Sequence, residues 1–172
     1  TLGLIGYGNI SRQIIRVAQA MGMNVLVATR TARPDSGGVH FTTQDEVFKN
    51  SDFISLNCPL TEATRHLINR QTLAMMKPTA YLINTARGPL VDEQALIEAL
   101  NDGVIAGAGL DVQEFEPLDD ASPLYNMDNV IITPHMGWRG LETRQRLVSM
   151  IGDNIRAFAS GHPINRVDEV KG

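Results

Sequence analysis

Arg87, Glu116 and His135 each stand just past an apolar run, in Asn84-Thr85-Ala86-Arg87-Gly88, Asp111-Val112-Gln113-Glu114-Phe115-Glu116-Pro117 and Thr133-Pro134-His135. If those runs are strands of one open parallel sheet, the three segments meet, because ligands of such sheets bind beyond the carboxyl ends of the strands. A guanidinium, a carboxylate and an imidazole in one crevice suit the reduction of a 2-keto acid, which requires holding a carboxylate and protonating a carbonyl oxygen as hydride arrives. Arg87 can grip the carboxylate with two parallel bonds that a Lys would not reproduce. His135 can give the proton to the oxygen and take it back in the reverse direction, and Glu116 can fix the imidazole tautomer. Each residue alone also fits an ordinary structural role; their joint placement after three strands carries the reading.

Upstream, Gly6-Tyr7-Gly8-Asn9-Ile10-Ser11 lies between an apolar strand and an amphipathic helix. There the first Gly makes a tight turn, the second lets backbone approach a pyrophosphate, and Asn9 and Ile10 open the helix whose N-terminus receives it. Ser11 replaces the third glycine and adds a hydroxymethyl where strand and helix pack closely. The second strand ends Val27-Ala28-Thr29-Arg30-Thr31-Ala32-Arg33 with no acid to accept a ribose 2'-hydroxyl. Arg30 and Arg33 can instead pair with a 2'-phosphate, with Thr29 adding a hydroxyl, so NADP(H) is favoured and NAD(H) remains possible. Asp111 can accept a carboxamide N–H of a nicotinamide or act as a turn residue, and backbone at Thr85 and Ala86 can complete that pocket. Cys58 and Pro59, with Thr64, follow the third strand and can wall the adenosine; Cys58 is read as a packing residue, since no base lies near it in sequence. Arg87, His135 and Gly137 complete the expected cofactor-facing set.

Strands are expected at Leu2 to Gly6, Asn24 to Ala28, Asp52 to Leu56, Ala80 to Asn84, Ile105 to Val112 and Val130 to Thr133. Helix-length amphipathic stretches separate them, which predicts an α/β fold, a Rossmann-type doubly wound parallel sheet with helices on both faces. The first helix is expected to bury Ile10, Ile14, Val17, Ala18 and Met21 and to stop at Gly22. Thr43 with Glu46 reads as a capping box, and Asp92 opens a helix that runs to Asn101. The stretch from Leu141 to Ser160, apolar at Leu147, Val148, Ile151, Ile155 and Phe158, is long enough to brace the domain.

At 172 residues, 43% of them hydrophobic, the chain can bury the core of one domain, and a formal charge of -4 with dispersed basic residues argues against nucleic acid as a partner. A single cysteine excludes an intrachain disulfide, and with no signal-like segment a reducing, cytoplasmic setting is expected. No stretch is long and apolar enough to span a bilayer, so no membrane partner is expected. The chain opens on a strand without an initiator Met, which reads as a domain excised from a longer polypeptide.

With these residues assembled, the chain resembles the cofactor-binding domain of the D-isomer-specific 2-hydroxyacid dehydrogenase family from Leu2 to about Val167. The resemblance rests on Asn57-Cys58-Pro59-Leu60-Thr61, Met76-Lys77-Pro78, Ala80-Tyr81-Leu82-Ile83-Asn84-Thr85-Ala86-Arg87-Gly88, Ala108-Gly109-Leu110-Asp111-Val112, Glu116-Pro117 and Thr133-Pro134-His135. It implies that Arg87 binds the substrate carboxylate, that His135 is the acid and base, and that Glu116 pairs with it. The segment from His135 to Trp138, followed by Glu142-Thr143-Arg144-Gln145-Arg146-Leu147, looks most like glycerate dehydrogenases, which reduce hydroxypyruvate and often glyoxylate. The resemblance further implies that residues 1–172 are an NAD(P)-binding domain whose substrate domain is absent, with residues 161–172 as a tail toward it, little turnover by this part alone, and a homodimer of the intact protein. Two alternatives belong to the same fold: a dinucleotide-sensing, corepressor-like interaction module, and a formate or phosphite dehydrogenase.

Overall fold

A computed structural model describes residues 1–166; the expected tail from residue 167 onward lies outside the described residues. The chain divides into two compact units, Thr1–His135 and Met136–Gly172.

The first unit holds a seven-stranded sheet. Its strands are β1 (Leu2–Ile5), β2 (Val25–Ala28), β3 (Val39–Thr42), β4 (Phe53–Leu56), β5 (Tyr81–Asn84), β6 (Gly107–Leu110) and β7 (Val130–Ile132). Every pairing is parallel and the order is β3-β2-β1-β4-β5-β6-β7, so the chain reverses its direction of travel across the sheet between β1 and β4. That reversal opens a crevice at the carboxyl ends of β1 and β4. The expected fold class and six of its strands are therefore present, with shorter bounds; β3 is an additional edge strand.

Between the strands run α1 (Asn9–Ala20), α2 (Gln44–Asn50), α3 (Arg70–Leu73) and α4 (Glu93–Asn101). Thr43 accepts the Glu46 N–H at the start of α2, and Asp92 accepts the Ala95 N–H at the start of α4, as the cap residues predict. One core cluster joins Ile5, Ile54, Leu56, Leu82 and Leu110 to Phe48 of α2 and Leu96 of α4; a second joins Leu4, Val25, Val27 and Val39 to Ile15 and Ala18 of α1.

The face of α1 differs from the expectation. Its buried residues are Ser11, Ile15 and Ala18, while Ile10, Val17 and Met21 are 67%, 61% and 73% exposed. Two apolar arcs overlap on this helix, and the sheet takes the one with small residues at its ends, which let helix and strands approach closely.

In the second unit, α5 (Leu141–Ala159) has no buried residue. The stripe expected there, Leu147, Val148, Ile151, Ile155 and Phe158, is exposed. Periodicity identifies an apolar face and does not identify what covers it. Within this unit the Arg144 guanidinium lies 5.9 Å from the centre of the Trp138 ring, and Asn165 donates to Asn154 at 2.9 Å.

Candidate active site

The turn after β1 is shaped by backbone that only glycine supplies. Gly6 has φ +104°, and a Cβ there would lie 2.6 Å from the Asn57 carbonyl oxygen. Gly8 caps α1 and faces open space, with nothing within 4 Å of where its Cβ would be. Ser11, in place of the third glycine, is fully buried; its hydroxyl donates to the Gly6 carbonyl at 2.9 Å and accepts the Gly8 N–H at 3.4 Å. The substitution is therefore built into the turn. A cleft of about 590 Å³ opens beside it, lined by Ile10, Asn57, Cys58, Pro59, Leu60, Thr85, Ala86 and Arg87. Burial pushes the Cys58 thiol above its ordinary value, which fits a packing residue. Thr64 uses its hydroxyl to hold its own loop, donating to the Pro59 carbonyl at 2.8 Å.

Beyond β2, Thr29 is half-buried and Arg30 and Arg33 are exposed. The Arg33 guanidinium lies 5.4 Å from the centre of the Tyr7 ring and that of Arg12 lies 5.1 Å from it, while Phe41 of β3 meets the ring edge-on at 5.0 Å. Two guanidiniums thus gather on an aromatic ring inside the glycine turn. Tyr7, Arg12 and Phe41 were not expected here; Tyr7 and Arg12 lie five residues apart across the start of α1, and Phe41 comes from β3, which no local pattern joins to them.

At the other end, the strand ends that carry the three chemical groups lie side by side. Asp111 N–H donates to the Asn84 carbonyl and Thr133 N–H to the Leu110 carbonyl, each at 2.9 Å. Buried Asn84 shapes the turn after β5: its side chain accepts the Ala86 N–H at 3.1 Å and donates to the Arg87 carbonyl at 2.9 Å. An Asn opening Asn-Thr-Ala-Arg-Gly is a recognisable side-chain turn signal. Gly88 is pressed against the next loop so closely that a Cβ would fall 1.7 Å from the Gln113 carbonyl oxygen. Asp111 is buried and accepts the Thr133 hydroxyl at 2.5 Å, which ties the end of β6 to that of β7.

His135 Nδ1 lies 2.7 Å from Glu116 Oε2, and Glu116 Oε1 accepts the Gln113 N–H at 3.2 Å. A carboxylate only accepts, so Nδ1 carries the proton and Nε2 is left to face a substrate. The two side chains are 44% and 34% exposed, open to a ligand. They border a cleft of about 490 Å³, whereas Arg87 borders the first cleft, with its guanidinium donating to the Ala86 carbonyl at 2.6 Å. Of the expected site residues, Ile10, Cys58, Pro59, Thr85, Ala86 and Arg87 share the first cleft, and Glu116 and His135 share the second. Gly137 belongs to the unit Met136–Gly172. Among the described residues there is no His, Cys, Asp and Glu cluster suited to a metal, and no helix is long and apolar enough to cross a membrane.

Residues 1–137 match the family model described as D-isomer specific 2-hydroxyacid dehydrogenase, NAD binding domain. The glycerate dehydrogenase of Methylorubrum extorquens is 45% identical over 98% of this chain and 52% of its own length. The NADPH-dependent glyoxylate/hydroxypyruvate reductase of Sinorhizobium meliloti, solved with NADP and sulfate, is 31% identical with a TM-score of 0.85, covering 95% of this chain and 54% of that one. A D-isomer specific 2-hydroxyacid dehydrogenase from Lactobacillus delbrueckii ssp. bulgaricus, solved with NAD, is 35% identical with a TM-score of 0.87, over 95% and 54%. The chain spans about half the length of the curated relatives it matches.

Proposed function

Because this chain belongs to the D-isomer specific 2-hydroxyacid dehydrogenase family, we propose that it is the dinucleotide-binding part of an oxidoreductase that moves hydride between NADP(H), or less favourably NAD(H), and a small 2-hydroxy acid or its keto partner, such as D-glycerate with hydroxypyruvate, or glyoxylate. The observation that carries this reading is the 2.7 Å contact between His135 and Glu116 at the end of the strand row that also delivers Arg87.

The residues present fit a dinucleotide. Gly8 offers no side chain to the first N–H groups of α1, the Gly6 backbone closes the turn, and the adjoining cleft is walled by Ile10, Cys58 and Pro59. When bound, the reduced nicotinamide supplies the hydride. Arg87 exchanges its bond to the Ala86 carbonyl for a paired contact with the substrate carboxylate. His135 acts as the imidazolium, with a proton on each ring nitrogen: it gives the Nε2 proton to the carbonyl oxygen as negative charge develops there and is left neutral, while Glu116 keeps Nδ1 protonated and the ring aimed throughout. In the oxidation direction the same Nε2 takes the proton back.

Preference for NADP(H) is supported by the missing acid after β2 and by Arg33 gathered with Arg12 on Tyr7. The two solved relatives were captured one with NAD and the other with NADP, so the family alone does not choose. The intact protein is further read as cytoplasmic and homodimeric, with the remaining substrate contacts supplied by sequence outside this chain.

Turnover of hydroxypyruvate, glyoxylate, formate and phosphite by the intact protein, with NADPH and with NADH, tests the reading. The keto acids should be reduced fastest, with NADPH. His135→Gln should lower kcat by about 10²- to 10⁴-fold while leaving cofactor affinity intact. Unchanged kcat in that variant, or turnover of formate or phosphite alone, defeats the proposal.

A further inference from the structure

The loop after β6 carries a second histidine–glutamate pair. His66 Nε2 lies 2.7 Å from Glu114 Oε1, the same separation as His135 Nδ1 from Glu116 Oε2 two residues further on. Both histidines hold the left-handed backbone conformation, with φ 48° at His66 and 49° at His135; the other non-glycine residue with positive φ among those described is Asn165. Outside glycine this conformation is strained and persists where surrounding contacts enforce it. The reaction accounts for His135 and leaves His66 unexplained.

Glu114 is the more enclosed of the two glutamates, its side chain 12% exposed against 34% for Glu116. A carboxylate that enclosed must have its oxygens satisfied. Oε1 accepts a hydrogen bond from His66 Nε2, with the Arg65 guanidinium 3.7 Å away. Oε2 takes the Glu93 N–H at 3.3 Å, at the N-terminal end of α4 where an anion is favoured. Glu93 answers in kind, its Oε2 accepting the Glu114 N–H at 3.2 Å. Burial pushes the Glu93 carboxyl above its ordinary value; the Glu114 N–H offsets part of that, and the Glu114 charge adds to it.

Through these bonds Glu114 joins three segments that build the site. His66 closes the loop that begins at Cys58 and Pro59, and its N–H donates to the Pro89 carbonyl at 2.9 Å, just past Arg87 and Gly88. The neighbouring Gln113 presses its carbonyl on Gly88 and gives its N–H to Glu116. The backbone beside Glu114 therefore sets the position of the catalytic carboxylate.

We propose that Glu114, gripped by His66, is a positioning residue for the reaction: it holds the Gln113 peptide in place and, through it, the Glu116 carboxylate against His135. This rests on the reading of His135 as the acid and base.

The test compares Glu114→Ala, Glu114→Gln and His66→Ala with His135→Gln in the intact protein. The readouts are kcat, KM for the keto acid, cofactor affinity, and the downfield NMR resonance of the His135 Nδ1 proton. Glu114→Ala should lower kcat by about 10- to 100-fold, the scale of a small misplacement of reacting groups, with cofactor affinity unchanged and the Nδ1 resonance broadened by faster exchange. Glu114→Gln, which keeps an acceptor oxygen and the volume, should recover most of the rate. His66→Ala removes one tie and should shift the same readouts less, which provides a test if Glu114→Ala does not fold. Parent-like kcat and an unaltered Nδ1 resonance in Glu114→Ala, or in His66→Ala where only that variant folds, overturn the proposal, as does a parallel fall of kcat and cofactor affinity, which marks a role in stability alone. Full turnover by His135→Gln would instead defeat the reading of the reaction, and the resonance still reports on the Glu114 contact.

Discussion

At the β5–β6–β7 end of the sheet nearly every polar group is held by a second one: Asn84 by the turn it shapes, Asp111 by Thr133, Glu114 by His66, and Glu116 by both His135 and the Gln113 peptide. At the β1–β2 end, Arg30 and Arg33 are exposed, and the guanidiniums of Arg33 and Arg12 reach no closer than 5.1 Å to the centre of the Tyr7 ring. On the proposed function, the first end would place reacting atoms to a fraction of an ångström, which interlocked backbone supplies, and the second would concentrate positive charge for a 2'-phosphate, which long side chains provide in several conformations. Damage should therefore be steep and geometric at one end, graded and salt-dependent at the other.

The same substitution at two glycines separates these behaviours. Alanine at Gly88 would put its Cβ 1.7 Å from the Gln113 oxygen and 2.1 Å from its carbon, so the turn bearing Arg87 and the loop bearing Glu116 must part. Gly88→Ala should cost about 1–3 kcal/mol of stability and lower kcat/KM for the keto acid by about 100-fold. Alanine at Gly8 meets nothing within 4 Å and should leave the denaturation midpoint near that of the parent, any effect appearing in cofactor affinity. Denaturant unfolding and steady-state kinetics on both variants check this; a tolerant Gly88 would mean the catalytic end is not interlocked.

At the adenosine end, Arg33→Ala and Arg30→Ala should each weaken NADP(H) binding by about 10-fold, the scale of one charge-assisted bond. NAD(H) affinity should hold, and the preference should shrink as salt rises. Calorimetric titration of both cofactors at two salt concentrations reads this directly. Equal affinity for NADP(H) before and after the changes would show that the arginines are merely solvated.

This contrast also explains what could be read before the structure. The His135–Glu116 contact was legible because each residue stands just after its own strand and parallel strands bring their ends together, whereas Arg87, read the same way, borders the neighbouring cleft. The Asn84 turn was within reach for the same local reason. His66 and Glu114 are 48 residues apart and their pairing has no local signature. The contact between Gly88 and Gln113 is between backbones, so only the glycine hints at it. Strand β3 escaped because Val39-His40-Phe41-Thr42 is a four-residue edge with one buried residue, following a polar run that ends in Gly37-Gly38. The face of α1 was misassigned because an apolar stripe reports a preference for cover, and the covering surface is decided elsewhere in the chain.

The amino-terminal end of the strands provides a control in which neither catalytic geometry nor cofactor charge is at stake. Asp52 precedes β4, its carboxylate 2.8 Å from Lys77 Nζ. The Lys77 ammonium holds the carboxyl below its ordinary value. An acid whose value is lowered by folding stabilises the fold above its unfolded value and loses that contribution as pH falls through the folded one. The side chain is 44% exposed, so solvent screens most of the interaction. Asp52→Asn should therefore cost only about 0.2–1 kcal/mol at neutral pH, and the gap from the parent should close as pH falls through the lowered value of the folded state. Urea midpoints across that range test the sign, since a gap that widens toward acid would contradict it. Unchanged kcat and cofactor affinity in the same variant would confine the steep effects to the far end of the strands, where His135 and Glu116 meet.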